Sequence, residues 1–152
     1  MTPFVTAGAG FLLAVLWFDL MFDVQALRRG RPTADLPEEK LASIAEYYRR
    51  VTTEARPMNR LVALVMAAAV AATVVQLADD AEPDWVATSS LVLLVIAVTV
   101  AGARTVPNAR RLGASSDGPA RRTELARAIL HEHLICLAAI VSVLILQLGW
   151  AR

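Results

Sequence analysis

Trp17-Phe18-Asp19-Leu20-Met21-Phe22-Asp23 closes an apolar run that begins at Phe4, and Arg28-Arg29 follow five residues later. The run is long enough to cross a bilayer, and it carries two carboxylates in the half nearest the basic loop. A charge near the bilayer centre costs about 2.5–3.5 kcal/mol on insertion scales, so the pair requires a compensating partner elsewhere in the chain.

The rest of the chain supports a membrane reading. Of 152 residues 57% are hydrophobic, with mean hydropathy +0.52. A soluble domain is nearer 45–50% apolar on average, or roughly so. The single cysteine, Cys136, excludes an internal disulfide and a Cys-x-x-Cys redox pair, and with them a quinone reductase running on paired thiols. The net charge of +1 is split between loops rather than pooled in a patch, which argues against a nucleic-acid partner. Only Met1-Thr2-Pro3 precede the first apolar residue, so the first helix is expected to remain as a span rather than be cleaved.

Outward from that first span, the pattern predicts an all-α fold. A four-helix transmembrane bundle forms a single membrane domain over residues 1–152, with spans at 4–26, 61–78, 85–103 and 126–150. Gly8 and Gly10 would allow close packing in span one, and Ala63, Ala67 and Ala71 give span two a small-xxx-small face. Between spans one and two, Asp35 with Glu38 resembles a capping box opening a cytoplasmic amphipathic helix over 36–56. Its apolar stripe is Leu41, Ile44, Tyr48, Val51 and Ala55, suited either to the membrane surface or to docking under the bundle. Residues 79–84 read as a tight acidic turn, and 113–119 as a flexible link inside a second basic loop.

Of fifteen Lys and Arg, eight lie in 28–60 and six in 104–127. The positive-inside rule then puts both loops in the cytoplasm and both termini outside, in what reads as a bacterial plasma (inner) membrane. Trp85 and Trp150 fall at the outer ends, where aromatic anchors belong.

With topology assigned, depths can be compared. Asp19 and Asp23 lie about 13 and 7 Å from Arg28, and His131, Glu132 and His133 about 6–9 Å from Arg127, at 1.5 Å per residue. Both groups occupy the cytoplasmic leaflet. Helical phase puts His131 with Ile135, Ala138 and Ser142, and Glu132 with Cys136 and Ala139, faces of small residues that suit a bundle interior. His133 shares its face with Leu137, Ile140 and Leu144 and is expected at the lipid interface. Asp19, Asp23, His131 and Glu132 are therefore the candidate ligand or proton site. Asp19, His131 and Glu132 are candidate ligands for a divalent metal such as iron, zinc or manganese. Closely spaced carboxylates with a histidine could also relay protons. The structural alternative pairs the aspartates with Arg60 or Arg104. Asp23, nearer the loop and water, reads as the more structural aspartate and Asp19 as the more functional. Tyr48, Arg49 and Arg50 are candidates for a lipid headgroup.

Pro107-Asn108 ahead of a basic loop, with a histidine one turn into the last span, resembles the anthrone oxygenase-like family of small four-helix membrane proteins. The resemblance covers Val106 to Ala138 and the layout, and it lacks a tryptophan before that histidine and an arginine after it. It implies the four-helix fold and oxidative chemistry on a hydrophobic aromatic substrate, with no catalytic residue carried over. The trimeric glutathione and eicosanoid-metabolism membrane proteins share the size and layout, but Arg56-Pro57-Met58-Asn59 does not match their motif.

Two function classes stand out: an embedded site for a metal or lipophilic ligand, and a non-catalytic subunit or assembly partner of a larger membrane complex. A proton or ion pathway is a further alternative. Membrane lipid and a homo-oligomer or larger complex are the partners in view.

Overall fold

A computed structural model describes residues 1–27, 35–78 and 84–150. The arginines at 28 and 29, and residues 79–83 of the acidic turn expected from 79 to 84, lie outside the described residues, and Asp84 belongs to a helix rather than to that turn. Among the described residues six α-helices follow in order: α1 Thr2–Asp23, α2 Glu38–Arg49, α3 Arg56–Leu77, α4 Asp84–Val100, α5 Val106–Ala114 and α6 Pro119–Gly149. The fold is all-α, and four helical stretches are long and apolar enough to cross a membrane: Thr2–Ala26, Pro57–Leu77, Asp84–Ala114 and Pro119–Gly149.

The four spans form a ring. Among the described residues α1 packs on α3 and α6, and α4 packs on the same two, while the backbones of α1 and α4, and of α3 and α6, do not approach closely across the ring. Small residues set the α1–α3 approach. A Cβ built on Gly8 would stand 3.3 Å from the Ala69 Cβ, so glycine lets the two backbones close, whereas Gly10 faces open space. α6 is the most enclosed span and α3 the least.

The end of the bundle that carries the basic loops is more helical than the sequence pattern predicts. Pro107 does not end span three. A π-helical turn over Ala101–Thr105 widens the backbone ahead of it, and the chain continues into α5. Proline lacks the N–H for an α-helical bond, and a π turn is a known way to absorb that loss without a break. A second π turn, Arg50–Glu54, precedes α3, which has Pro57 in its first turn. The expected flexible link shrinks to a reversal. Ser115 sits at φ 52°, left-handed, with its amide on the Leu112 carbonyl, and Arg111 pairs with Asp117 at 2.7 Å. Pro119 then opens α6. At 1.5 Å per residue this helix is about 46 Å long, about 16 Å more than a hydrocarbon core, so it extends beyond the apolar layer.

α2 is docked under the bundle rather than spread on the membrane. Leu41, Ile44, Ala45 and Tyr48 are buried with Leu20 of α1, Ala109 and Leu112 of α5, and Leu125, Ala126 and Ile129 of α6. The predicted stripe is the buried face. α5 comes so close that a Cβ on Gly113 would stand 2.8 Å from the Arg49 backbone nitrogen, an approach only glycine allows. The capping box does not form: Pro37 is the N-cap with no side-chain bond, and Glu38 instead pairs with Arg122 of α6 at 2.8 Å. The Leu36 amide donates to the Thr123 hydroxyl at 3.1 Å. These contacts pin the start of α2 to α6, which aims its last turn at α1.

Candidate functional site

Asp19 and Asp23 are four residues apart on α1 and face the same way. Consecutive tyrosines at the end of α2 reach one each. Tyr47 Oη donates to Asp19 Oδ1 at 2.6 Å, and Tyr48 Oη donates to Asp23 Oδ1 at 2.6 Å. From α6, His133 Nδ1 lies 2.6 Å from Asp23 Oδ2, and its Nε2 lies 3.8 Å from Asp19 Oδ2. One imidazole thus lies between two carboxylates, and each carboxylate also accepts from a phenol. Phe22 stacks on Tyr47 with ring centres 4.0 Å apart and planes within 9°, holding that ring in place.

The hydrogen-bond accounting at Asp23 is complete: one oxygen takes Tyr48 and the other takes His133. This answers the cost of carrying a carboxylate into an apolar bundle. Burial pushes both tyrosine phenols above their ordinary range, and the adjacent carboxylates push them further. They stay protonated donors, as the arrangement needs. The cluster joins α1, α2 and α6 at one point and resembles a three-way fastening more than an open reaction site.

Several expectations change. His131 is exposed, and His133 is the buried histidine that meets the aspartates. The inner face of α6 is lined by Ile129, Ile140 and Val143, so bulky aliphatics pack inside, while Ala138 and Ile135 lie outward. The Glu132, Cys136 and Ala139 face is buried as expected, but small residues did not mark the His131 face correctly, because alanine costs little against lipid. The metal set Asp19, His131 and Glu132 therefore does not converge, and among the described residues no three His, Cys, Asp or Glu are placed to hold a metal ion. Glu132 is buried away from the aspartates. Its Oε1 accepts from Asn108 Nδ2 at 2.9 Å, joining α6 to α5, and its Oε2 has no hydrogen-bond partner among the described residues. Arg60 and Arg104 are exposed, and the aspartates bond to Tyr47, Tyr48 and His133 instead. Tyr48 is buried and bonded to Asp23, so it cannot meet a headgroup. Arg49 and Arg50 are exposed but chelate Glu46, at 2.8 Å each, and hydrogen bonds from the two guanidiniums hold that carboxyl down to about 2. Arg49 also pairs with Glu54.

The order of burial also reverses. Asp23 has 0% exposure and the Asp19 side chain 18%, although Asp23 lies nearer the loop. Depth along α1 is a poor guide to water here, because the docked α2 seals the cytoplasmic end over Asp23.

A second polar set went unread. Near the outer ends, Gln147 Nε2 donates to Ser90 Oγ at 3.0 Å and to Gln76 Oε1 at 3.2 Å. Gln76 Nε2 returns a bond to Gln147 Oε1 at 3.2 Å and reaches Thr2 Oγ1 at 3.3 Å. Trp85 and Trp150 meet edge to face at 5.9 Å beside it. One residue from each span closes this end. Gln76 and Gln147, single polar residues in apolar spans, were the available signal.

Comparison with known families separates the remaining readings. A family model described as ER membrane protein SH3, the SHR3 chaperone family, matches residues 1–151. The chain belongs to this family. The match spans nearly the whole chain and replaces the anthrone oxygenase-like resemblance, which rested on Val106 to Ala138 and on a histidine, His131, that faces outward. With it goes the leaning toward oxidative chemistry. The SHR3 chaperone family is described by its ER location, so it lends no support to a bacterial plasma membrane. What stands is a polytopic integral membrane protein of the SHR3 chaperone family. No curated protein and no solved structure matches the chain.

Proposed function

We propose that this protein is a non-catalytic assembly factor, a membrane chaperone that holds other polytopic membrane proteins while they mature. The observation that carries this reading is the closure of the cytoplasmic polar cluster on itself. Asp23 has both oxygens bonded by Tyr48 and His133, and Asp19 is held by Tyr47, so the aspartates fasten α1, α2 and α6 together. The name of the family points the same way, toward a chaperone in the ER membrane. In that membrane the basic loops face the cytosol and both termini face the lumen.

The surface open to a client is the lipid-facing side of α3, the least enclosed span. Ala63, Ala67 and Ala71 are exposed there at four-residue spacing, and such a face allows a second transmembrane helix to approach closely. The test is depletion of the protein in its own cells, followed by quantitative proteomics of each membrane compartment. The reading expects a defined set of polytopic membrane proteins to be retained or degraded, with restoration by the wild-type chain. Unchanged membrane proteins alongside an altered small-molecule profile would overturn it.

A further inference from the structure

At the cytoplasmic edge of the bundle, Thr52 and Thr53 of the second π turn, Asn59 and Arg60 of α3 and Arg110 of α5 line an open cleft of about 520 Å³. That is the size of a small-molecule site. Among the described residues no acidic side chain lines it. Among the described arginines Arg49, Arg50, Arg111, Arg121 and Arg122 each bond a carboxylate, whereas exposed Arg104, like Arg60 and Arg110, does not. Arg60 and Arg110 have no carboxylate partner among the described residues, yet they share one cleft. Two arginines lining one cleft, with the Thr53 hydroxyl and the Asn59 amide as further donors, match an anion with several oxygens, and a phosphate is such an anion.

Position indicates where the phosphate comes from. Arg60 is the last charged residue before the uncharged stretch from Leu61 to Ala78, so its guanidinium lies at the headgroup level. Met58 and Leu61, on either side of Asn59 and Arg60 in sequence, are 50% and 42% exposed. An acyl chain has somewhere apolar to lie next to the cationic cleft. We propose that this cleft binds the phosphate of an anionic phospholipid headgroup from the cytosolic leaflet. The site is independent of the assembly role above and involves none of the residues of the aspartate cluster.

The experiment is native mass spectrometry of the full chain in mild detergent, titrated with short-chain phosphatidic acid, short-chain phosphatidylcholine or glycerol 3-phosphate. Phosphatidic acid should be retained in preference to phosphatidylcholine. Retention should fall about fivefold in Arg60→Gln or Arg110→Gln and about twenty-fivefold in the double variant, the weight of one surface arginine each. Arg121→Gln, an exposed arginine at the start of α6, should retain it as wild type does. Equal retention in the double variant, or equal retention of phosphatidylcholine, overturns the site. Glycerol 3-phosphate bound as well as phosphatidic acid overturns the lipid as its ligand. Both arginines are exposed, and an unchanged melting temperature of the lipid-free double variant assigns the loss to the cleft rather than to misfolding.

Discussion

Asp23 and His133 stand 110 positions apart in the chain and 2.6 Å apart in the fold. The bond joins α1 to α6, and both side chains are buried. Removing one partner of such a pair leaves the other without compensation, which costs about 3–5 kcal/mol in protein interiors. His133→Leu should therefore destabilise the bundle by about that amount. His131→Ala, on the exposed face, should change stability by less than about 0.5 kcal/mol. Unfolding of the purified variants in detergent checks both, and comparable losses from the two would remove His133 from the cluster.

The tyrosines are graded by burial. Tyr48→Phe strands one oxygen of fully buried Asp23 and should cost about 1–3 kcal/mol. Tyr47→Phe acts on the partly exposed Asp19 and should cost about 0.5–1.5 kcal/mol. A double-mutant cycle of Tyr48→Phe with Asp23→Asn should show coupling of at least about 0.5 kcal/mol, since the two touch. Strict additivity would mean that the bond contributes nothing.

At the outer end, Gln76→Leu removes a residue that bonds both Thr2 and Gln147. Hydrogen bonds between transmembrane helices average about 0.6 kcal/mol and reach about 1.7. The expected loss is therefore about 1 kcal/mol, far below that of His133→Leu. A larger loss from Gln76→Leu than from His133→Leu would reverse the ranking of the two ends.

Glycine substitutions separate packing from conformational freedom. Gly113→Ala drives a methyl to 2.8 Å from the Arg49 nitrogen and must part α5 from α2, at about 1–3 kcal/mol. Gly10→Ala meets nothing within 4 Å and sits mid-helix, so it should be neutral or stabilising by up to about 1 kcal/mol. Melting both variants checks the pair, and a destabilised Gly10→Ala would point to an unseen neighbour on that face.

The spans were legible because twenty-residue apolar runs have few alternative fates, and the apolar stripe of α2 named its buried face correctly. The partners of the aspartates were not. Choosing His131 over His133 turned on which face of α6 looked inward, and a helix that is apolar nearly all round gives little phase information. The tyrosines escaped because their role depends on α2 folding back under α1, a long-range event that Leu36, Glu38 and their partners on α6 direct. The membrane itself was equally hard to read. The bias of arginines toward the cytosolic side is the same for the ER and for a bacterial inner membrane, so charge asymmetry orients the chain without naming its compartment.

Both fastenings depend on α6, which is synthesised after α1, α3 and α4. His133 supplies the bond to Asp23 and Gln147 the bonds to Ser90 and Gln76. A nascent chain that has inserted only α1, α3 and α4 carries Asp23 without its imidazole and two glutamine-binding positions without Gln147. Such a precursor presents unpaired polar groups at both ends of the bundle. Integration of α6 closes the ring and satisfies both ends together. Truncation within this helix should therefore leave a species that the cell's quality control treats as unfinished, rather than a smaller functional bundle.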